Sequence, residues 1–204
     1  MKITCIAHSG ILIELDSCNL IFDYYKDPKR IINSGMFRKK SYVFVSHEHS
    51  DHYNKDIFNW RQHGNVHFII EKGCKVPSDV EASRICEGDA LNFPEESMLI
   101  TAFGSTDLGV SFLVEIHGLT LFHAGDLNCW YWEDESTQEE LAEDEGRYLK
   151  IIETLPKNKI DIAFIPEDPR LGVHAGRGIS QFRSIVQPKR IVPMHFPGNE
   201  GIVY

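Results

Sequence analysis

One short segment, residues 47–52 with the sequence HEHSDH, constrains this chain more than any other feature. It places four potential metal ligands within six residues: His47, His49, Asp51 and His52. The run directly before it, residues 41–46, has Tyr-Val-Phe-Val at its centre and predicts a buried strand. Because that strand holds the segment near the core, where polar groups without partners are costly, we favour a binding site over a surface loop.

The residue types in this segment are those that bind divalent metals. Imidazole nitrogen and carboxylate oxygen are ligands for zinc, iron and manganese. If the strand continues briefly, His47 and His49 share one face, because residues two apart in a strand point the same way. Asp51 and His52 then lie in the following turn and can aim at a neighbouring point. The segment can thus serve one metal ion or two adjacent ions.

The rest of the chain predicts a layered α/β architecture. Apolar-rich runs separated by turn residues predict strands at 2–7, 11–15, 19–23, 66–70, 98–103, 110–116, 119–123, 160–165 and 190–194. A short helix is expected at 54–62. A longer helix begins at a capping box from Ser136 to Glu139 and stops at Pro156. Strands, then a helix, then strands again are typical of stacked layers.

Composition narrows the class of protein. The chain has 204 residues, 42% of them hydrophobic, which is enough for a single domain over 1–204. Its formal net charge of -9 disfavours nucleic acid, so we expect a small-molecule substrate. No segment has the roughly 20 apolar residues of a membrane helix. The absence of a signal-like start and of any C-x-x-C pair favours the reducing cytoplasm.

The H-x-H-x-D-H pattern resembles the signature of the metallo-β-lactamase superfamily. Residues 122–126 (FHAGD) are similar to the family's later strand ending in Gly-Asp, and residues 193–196 (PMHF) to its last ligand-bearing strand. Residues 8–10 (HSG) and 21–23 (IFD) resemble the N-terminal hairpin of the branch that contains the ascorbate-phosphate lactonase. The resemblance covers nearly the whole chain and implies a four-layered αβ/βα sandwich with metals at one edge of the sheets.

The resemblance also implies a ligand set. His47 and His49 would bind a first metal, and Asp51, His52 and His195 a second, with Asp126 bridging the two. The alternative for Asp126 is a turn aspartate. The alternative for His195 is a core or capping histidine.

One departure from the family pattern affects the first metal. A further histidine is expected between HEHSDH and the Gly-Asp strand, but the corresponding stretch, residues 103–109, reads FGSTDLG. Either Asp107 substitutes as an oxygen ligand, or the first site is weakened. An oxygen ligand would move the preference from zinc toward manganese or iron. Asp107 beside Gly109 is also ordinary turn chemistry.

Several residues near these motifs are candidates for supporting roles. Asp168 could orient a ligand histidine, and Arg170 could pair with an anionic substrate group. A salt-bridged surface loop is the alternative for both. Trp130 could line a substrate pocket or pack under the acidic helix. His8 could reach the rim of the site, and His123 is expected in the core or behind a ligand.

The function predicted from these residues is metal-dependent hydrolysis of an ester, lactone or phosphodiester. One or two divalent ions, zinc before manganese or iron, activate a water molecule, and Asp51 and His52 are the catalytic candidates. The alternative is a non-catalytic metal-binding protein with an incomplete dinuclear site. The chain ends soon after His195, so either part of the native C-terminus is absent or another subunit covers that edge, and an oligomer is compatible with the sequence.

Overall fold

The computed structural model describes residues 1–204 and divides the chain into two compact units. The first unit contains Met1–Cys86 and Pro197–Tyr204, and the second contains Glu87–Phe196. Each unit is built on one six-stranded sheet that mixes parallel and antiparallel strands. Neither α-helix combines the length and the hydrophobicity that a membrane-crossing segment requires. The expectation of a single domain stays a prediction.

The sheet of the first unit follows chain order. Its strands are β1 (Lys2–Ala7), β2 (Gly10–Glu14), β3 (Cys18–Phe22), β4 (Lys40–Val45), β5 (Val66–Glu71) and β6 (Ser83–Ile85). The pairs from β1 to β3 are antiparallel, and those from β3 to β6 are parallel. Two 3-10 helices, Ser34–Arg38 and Lys55–His63, flank β4. The apolar runs of β3 and β4 are buried on both faces, as expected for parallel strands.

The second unit contains the other sheet and both α-helices. Its strands are β7 (Ala90–Phe93), β8 (Met98–Phe103), β9 (Ser111–Ile116), β10 (Leu119–His123), β11 (Ile162–Pro166) and β12 (Arg190–Met194). The pairs from β7 to β10 are antiparallel, and those from β10 to β12 are parallel. The helices are α1 (Gln138–Ile152) and α2 (Arg177–Ile185). Two 3-10 helices span Pro94–Glu96 and Pro169–His174.

Helix α2 packs on β11 and β12 and against α1. Phe182 of α2 stacks on Phe122 of β10, with ring centroids 5.3 Å apart. At the start of α2, a Cβ on Gly178 would come within 2.2 Å of the Asn128 side-chain oxygen, so only glycine allows this approach. The contact braces the turn after β10.

Parallel strands bring their carboxyl ends to one edge of a sheet, and polar residues follow these ends in both units. In the first unit, β3 is followed by Asp23, and β4 by residues 46–52. In the second unit, β10, β11 and β12 are followed shortly by Asp126, Asp168 and His195. Each sheet therefore gathers its own set of candidate ligands at one edge.

Some local predictions were wrong in detail. The capping box of α1 begins one residue later than expected, because Thr137 Oγ1 accepts the Glu140 N–H while Glu140 Oε2 accepts the Thr137 N–H. Helix α1 ends at Ile152, before Pro156. The helix expected at 54–62 is the 3-10 helix Lys55–His63, which Asn54 caps. The sequence pattern did not predict β6, β7 or α2.

Candidate metal centre

The first donor group consists of Asp23 and residues 46–52, all in the first unit. The imidazole rings of His47 and His49 lie together, with centroids 4.6 Å apart. Glu48, between them in sequence, instead pairs with Lys75 at 3.0 Å, and this contact lowers the pKa of the Glu48 carboxyl. The strand β4 itself ends at Val45, and beyond it the two imidazole rings lie together while the Glu48 side chain pairs with Lys75.

Asp23 is the centre of a buried hydrogen-bond network in this group. Its Oδ1 accepts the Ser46 N–H at 2.8 Å, and its Oδ2 accepts the Ser46 hydroxyl at 2.6 Å. The same Oδ2 lies 2.9 Å from Nδ1 of His52. A carboxylate on Nδ1 leaves Nε2 as the nitrogen with a lone pair, which is the tautomer of a metal-binding histidine.

His47 lies beside His52 in this network, and both are fully buried. Their ring centroids are 4.2 Å apart, and Nδ1 of His47 lies 2.9 Å from the Ser46 hydroxyl. Asp23, His47 and His52 can each offer a donor atom within 4.8 Å of the others. Imidazoles grouped around a carboxylate are a donor set that fits a divalent transition metal.

Asp51 and His52 differ in their exposure. The Asp51 side chain is half-exposed, and its Oδ2 lies 3.4 Å from Nε2 of His8. Hydrogen bonding with His8 keeps the pKa of Asp51 well below its usual value, although partial burial acts in the opposite direction. Asp51 is thus held as a carboxylate, the form in which it binds a metal.

The second donor group consists of Asp126, Asp168 and His195, all in the second unit and all nearly inaccessible to solvent. His195 lies between the two carboxylates. Its Nε2 is 3.3 Å from Asp126 Oδ1, and its Nδ1 is 3.1 Å from Asp168 Oδ2. As with Asp23 and His52, one carboxylate contacts Nδ1 and leaves Nε2 for another partner.

The contact between Asp126 and His195 has the spacing of two ligands on one ion. Ligand atoms about 2.0–2.1 Å from a tetrahedral zinc lie about 3.3 Å apart. The Nε2–Oδ1 distance of 3.3 Å matches this separation. The second donor group therefore fits a metal without rearrangement of these two side chains.

Asp168 connects His195 to a cation. Burial acts to raise the pKa of Asp168, but hydrogen bonds with His195 and Arg170 hold it below its usual value. The Arg170 guanidinium donates from Nε to both carboxylate oxygens at 2.9 Å. The carboxylate of Asp168 thus contacts Nδ1 of His195, and its role in orienting a ligand stays a prediction. The role of Arg170 toward substrate stays a prediction.

Trp130 contacts both proposed ligands of the second donor group. Its indole N–H donates to the Asp126 carbonyl oxygen at 3.0 Å, and its ring lies 5.5 Å from that of His195 in a T-shaped arrangement. It also stacks on Trp132 at 6.1 Å. Trp130 is only partly buried, and its role toward a substrate stays a prediction.

Backbone conformation at the strand ends is unusual in both units. Asp23 has φ 43 and His195 has φ 68, in the left-handed region that residues with a Cβ rarely adopt. Such a residue costs on the order of 1–3 kcal/mol and persists only where its surroundings hold it. The hydrogen-bond networks around Asp23 and His195 provide that restraint.

Two further sequence candidates belong to the second unit. Asp107 is exposed in the turn after β8, where its N–H donates to the Ser105 hydroxyl at 3.3 Å. Its role as a replacement ligand stays a prediction. His123 is buried and accepts the Gly125 N–H on Nδ1 at 3.2 Å, which supports the turn before Asp126.

Sequence reasoning assigned no role to Asp23 or Ser46. The signal for Asp23 was available, because it follows an apolar strand directly, whereas Asp126 comes three residues after β10. Ser46 was counted as the end of a strand, and nothing in its type distinguishes it from an ordinary strand-end serine.

One family model matches more than half of the chain. The profile of the beta-lactamase superfamily domain matches residues 2–143. A metal-dependent hydrolase from Carboxydothermus hydrogenoformans is 23% identical over 211 residues, covering 96% of this chain and 84% of that protein.

Two solved structures share the fold. Igni18, a metallo hydrolase from Ignicoccus hospitalis, aligns with a TM-score of 0.62 at 18% identity, over 95% of this chain and 82% of that one. CmlA, a diiron β-hydroxylase from Streptomyces venezuelae, aligns with a TM-score of 0.65 at 10% identity, over 95% of this chain and 44% of that one.

Proposed function

The chain belongs to the β-lactamase superfamily, and from that premise we propose that its two donor groups serve one metal centre that hydrolyses a small-molecule ester, lactone or phosphodiester. The metallo-β-lactamase fold predicted from the motifs is confirmed by the family match and by the structural neighbours. The enzyme class, a metal-dependent hydrolase, is that of its curated relatives. The substrate, the metal and the ligand roles belong to the proposal.

The observation that carries the proposal is a carboxylate–histidine pair that occurs once in each donor group. Asp23 contacts Nδ1 of His52 at 2.9 Å, and Asp168 contacts Nδ1 of His195 at 3.1 Å. Both pairs are almost completely buried. A histidine that only filled the core would not need a buried carboxylate to select its tautomer, whereas a histidine that binds a metal does.

In the proposed mechanism, each side chain has a separate task. His47 and His49 would hold one ion, and Asp51, His52 and His195 would hold the other, with Asp126 shared between them. A divalent metal held by these residues would supply an activated water, by lowering its pKa from about 16 to about 7, and a positive charge that polarises the substrate oxygen. Asp51, held ionised beside His8, orients the attacking water. Asp23 and Asp168 keep Nδ1 of their histidines protonated throughout.

The surface near the second donor group supports a small-molecule substrate. A groove of ≈ 270 Å³ lies between residues 131–135 and 170–174. Its walls include Trp132 and the Arg170 guanidinium, which lies 5.5 Å from the centre of the indole ring. The groove is close to the lower end of the volume range of ligand pockets, about 300–1,000 Å³. It could hold one end of an ester or phosphodiester while the scissile group lies at the metals.

Zinc is the proposed metal, because histidines dominate the donor set. Asp107 as an additional oxygen ligand would favour manganese or iron at the His47 and His49 position. If Asp107 does not reach that position, the ion there is held by fewer protein ligands and should dissociate first when a chelator is added.

The proposal is tested by reconstituting metal-free protein with zinc, manganese or iron and assaying three chromogenic substrates: a lactone, a carboxylic ester and bis(p-nitrophenyl) phosphate. We expect turnover of at least one substrate that EDTA abolishes and added metal restores. The Asp51→Ala and His52→Ala variants should lose this turnover while retaining the wild-type circular dichroism spectrum. Tight metal binding in a closed four-ligand site without turnover would instead support the non-catalytic alternative.

A further inference from the structure

The C-terminal segment, residues 197–204, forms part of the first unit by pairing with the edge strand β1. The Cys5 N–H donates to the Ile202 carbonyl at 2.9 Å, and the Gly201 N–H donates to the Cys5 carbonyl at 2.8 Å. The Tyr204 N–H donates to the Ile3 carbonyl at 3.0 Å. These main-chain hydrogen bonds set the register of the segment against β1.

This register places the side chain of Asn199 against the main chain of His8. Nδ2 of Asn199 donates to the His8 carbonyl oxygen at 2.6 Å, and the His8 N–H donates to Oδ1 of Asn199 at 2.9 Å. Asn199 has no exposed surface. The buried side-chain amide of Asn199 thus hydrogen-bonds both the main-chain N–H and the main-chain carbonyl of His8, a residue 191 positions away in sequence.

His8 needs such a restraint because of its backbone conformation. It is the first of the two loop residues between β1 and β2, and its φ is 56. Tight two-residue hairpins with a positive φ at this position favour glycine. A histidine at this position has backbone strain that a glycine would not have, which indicates that its side chain has a function.

The His8 side chain is directed at the first donor group. Its Nε2 lies 3.4 Å from Asp51 Oδ2, and its ring is 5.7 Å from that of His52. The Asp51 side chain is 48% exposed and rotates about two torsions, so its orientation depends on the few groups that contact it. His8 is one of them.

We propose that Asn199 is a positioning residue: by clamping the main chain of His8, it holds the His8 imidazole against Asp51 and so orients this carboxylate for metal binding. The inference rests on the proposed function, in which Asp51 is a ligand. It assigns a role at the metal centre to the C-terminal segment, residues 197–204, which belongs to none of the ligand motifs.

The test is a calorimetric and spectroscopic titration of Co²⁺ into metal-free protein, which reports binding without a substrate. Partners that hydrogen-bond to metal ligands typically contribute about 10–100-fold in affinity. We therefore expect His8→Ala to weaken Co²⁺ binding at least tenfold and to alter the visible spectrum of the bound ion. His8→Gln, whose amide nitrogen can still donate to Asp51, should recover most of the affinity.

Asn199 should act only through His8. Asn199→Ala is expected to weaken binding by a factor similar to His8→Ala, and the double variant should be no worse than His8→Ala alone. Asn199→Asp keeps the side-chain size and the oxygen that accepts the His8 N–H, but it loses the N–H that donates to the His8 carbonyl. We therefore expect an intermediate loss of Co²⁺ affinity. This variant replaces Asn199→Ala if the alanine variant does not fold. Glu200→Gln, in the same segment but paired with Lys26, is the matched control and should bind like wild type.

Two results would overturn the inference while leaving the proposed function intact: wild-type Co²⁺ affinity in His8→Ala or Asn199→Asp, or additive losses in the double variant. In both cases Asp51→Ala would still weaken binding. If Asp51→Ala itself binds Co²⁺ like wild type, the ligand assignment fails and the inference fails with it.

Discussion

The two donor groups each hold a histidine with a buried carboxylate, but they stabilise that carboxylate differently. Asp23 is held by the N–H and the hydroxyl of Ser46, both uncharged and sealed in the interior. Asp168 is held by the guanidinium of Arg170, whose side chain is 64% exposed. The first arrangement is buried away from solvent. In the second, Asp168 connects His195 to a charged side chain at the surface.

This difference suggests different sensitivities in the two groups. Hydrogen bonds from uncharged donors in a dry interior are little affected by salt, while an exposed cation is screened and can be reached by substrate. We expect the first group to behave as a rigid support and the second to respond to ionic conditions and to ligands that approach Arg170.

Removing a histidine from either group should have the largest effect and tests whether both are required. His52→Ala and His195→Ala should each lower metal affinity and turnover by more than the roughly 100-fold upper range for residues that only support a ligand. Metal content after dialysis and turnover per bound metal are the measurements. If one variant keeps wild-type metal content and rate, its donor group does not serve the centre.

Replacing the supporting carboxylates should have the next largest effect. In Asp23→Asn, an amide hydrogen would face Nδ1 of His52 and favour the tautomer with the proton on Nε2. A protonated Nε2 has no lone pair with which to bind a metal. Asp168→Asn should act in the same way on His195. We expect about 10–100-fold weaker metal binding in both variants, with ¹⁵N chemical shifts of the metal-free protein reporting the tautomer. Unchanged shifts would contradict the paired roles.

Ser46 and Arg170 donate the hydrogen bonds that hold the two carboxylates, and replacing them should reveal the clearest difference between the two donor groups. Ser46→Ala removes a buried hydrogen bond to the Asp23 carboxylate and the contact with Nδ1 of His47, and should lower the free energy of unfolding by about 1.5–3 kcal/mol. Arg170→Gln should leave stability nearly unchanged but weaken metal binding by less than tenfold. It should also reduce the salt dependence of that binding. Denaturant unfolding and calorimetric metal titration at two salt concentrations would test this contrast. If the two substitutions change stability and metal binding equally, the proposed difference between the donor groups is wrong.

The smallest effect is expected at Trp130. Trp130→Phe retains the aromatic packing on His195 but loses the hydrogen bond to the Asp126 carbonyl. The expected loss of stability is about 0.5–1.5 kcal/mol, with turnover within about threefold of wild type. A thermal melt and an initial rate are sufficient, and a loss of turnover beyond tenfold would instead place the indole N–H at the substrate.

The contrast between the groups also explains what could be predicted from the sequence. The HEHSDH segment is contiguous and follows a recognisable strand, so its donors could be named from residue type and spacing alone. Asp126 and His195 come together only because β10, β11 and β12 are parallel neighbours, which the residues did not reveal and the family resemblance supplied. Most strands were predicted within two residues because their apolar runs are bounded by turn residues.

What the sequence did not reveal depends on tertiary contacts. Asp23 follows an apolar run, but its partners Ser46 and His52 are brought to it by strand pairing. Asn199 lies in a segment with no apolar pattern, and only the pairing with β1 gives it a role. Helix α2 opens at a glycine-rich stretch that reads as a loop, and its start is stabilised by the close approach of Gly178 to Asn128.

The most direct test of the account is anomalous diffraction at the zinc edge from a crystal of zinc-loaded protein. The account predicts an ion within about 2.0–2.2 Å of Asp51, His52, Asp126 and His195, with Nε2 as the ligand atom of both histidines. A second, weaker peak at His47 and His49 would support two unequal sites. A zinc ion bound by residues of only one donor group, with the other group empty, would contradict the claim that the two groups serve a single centre.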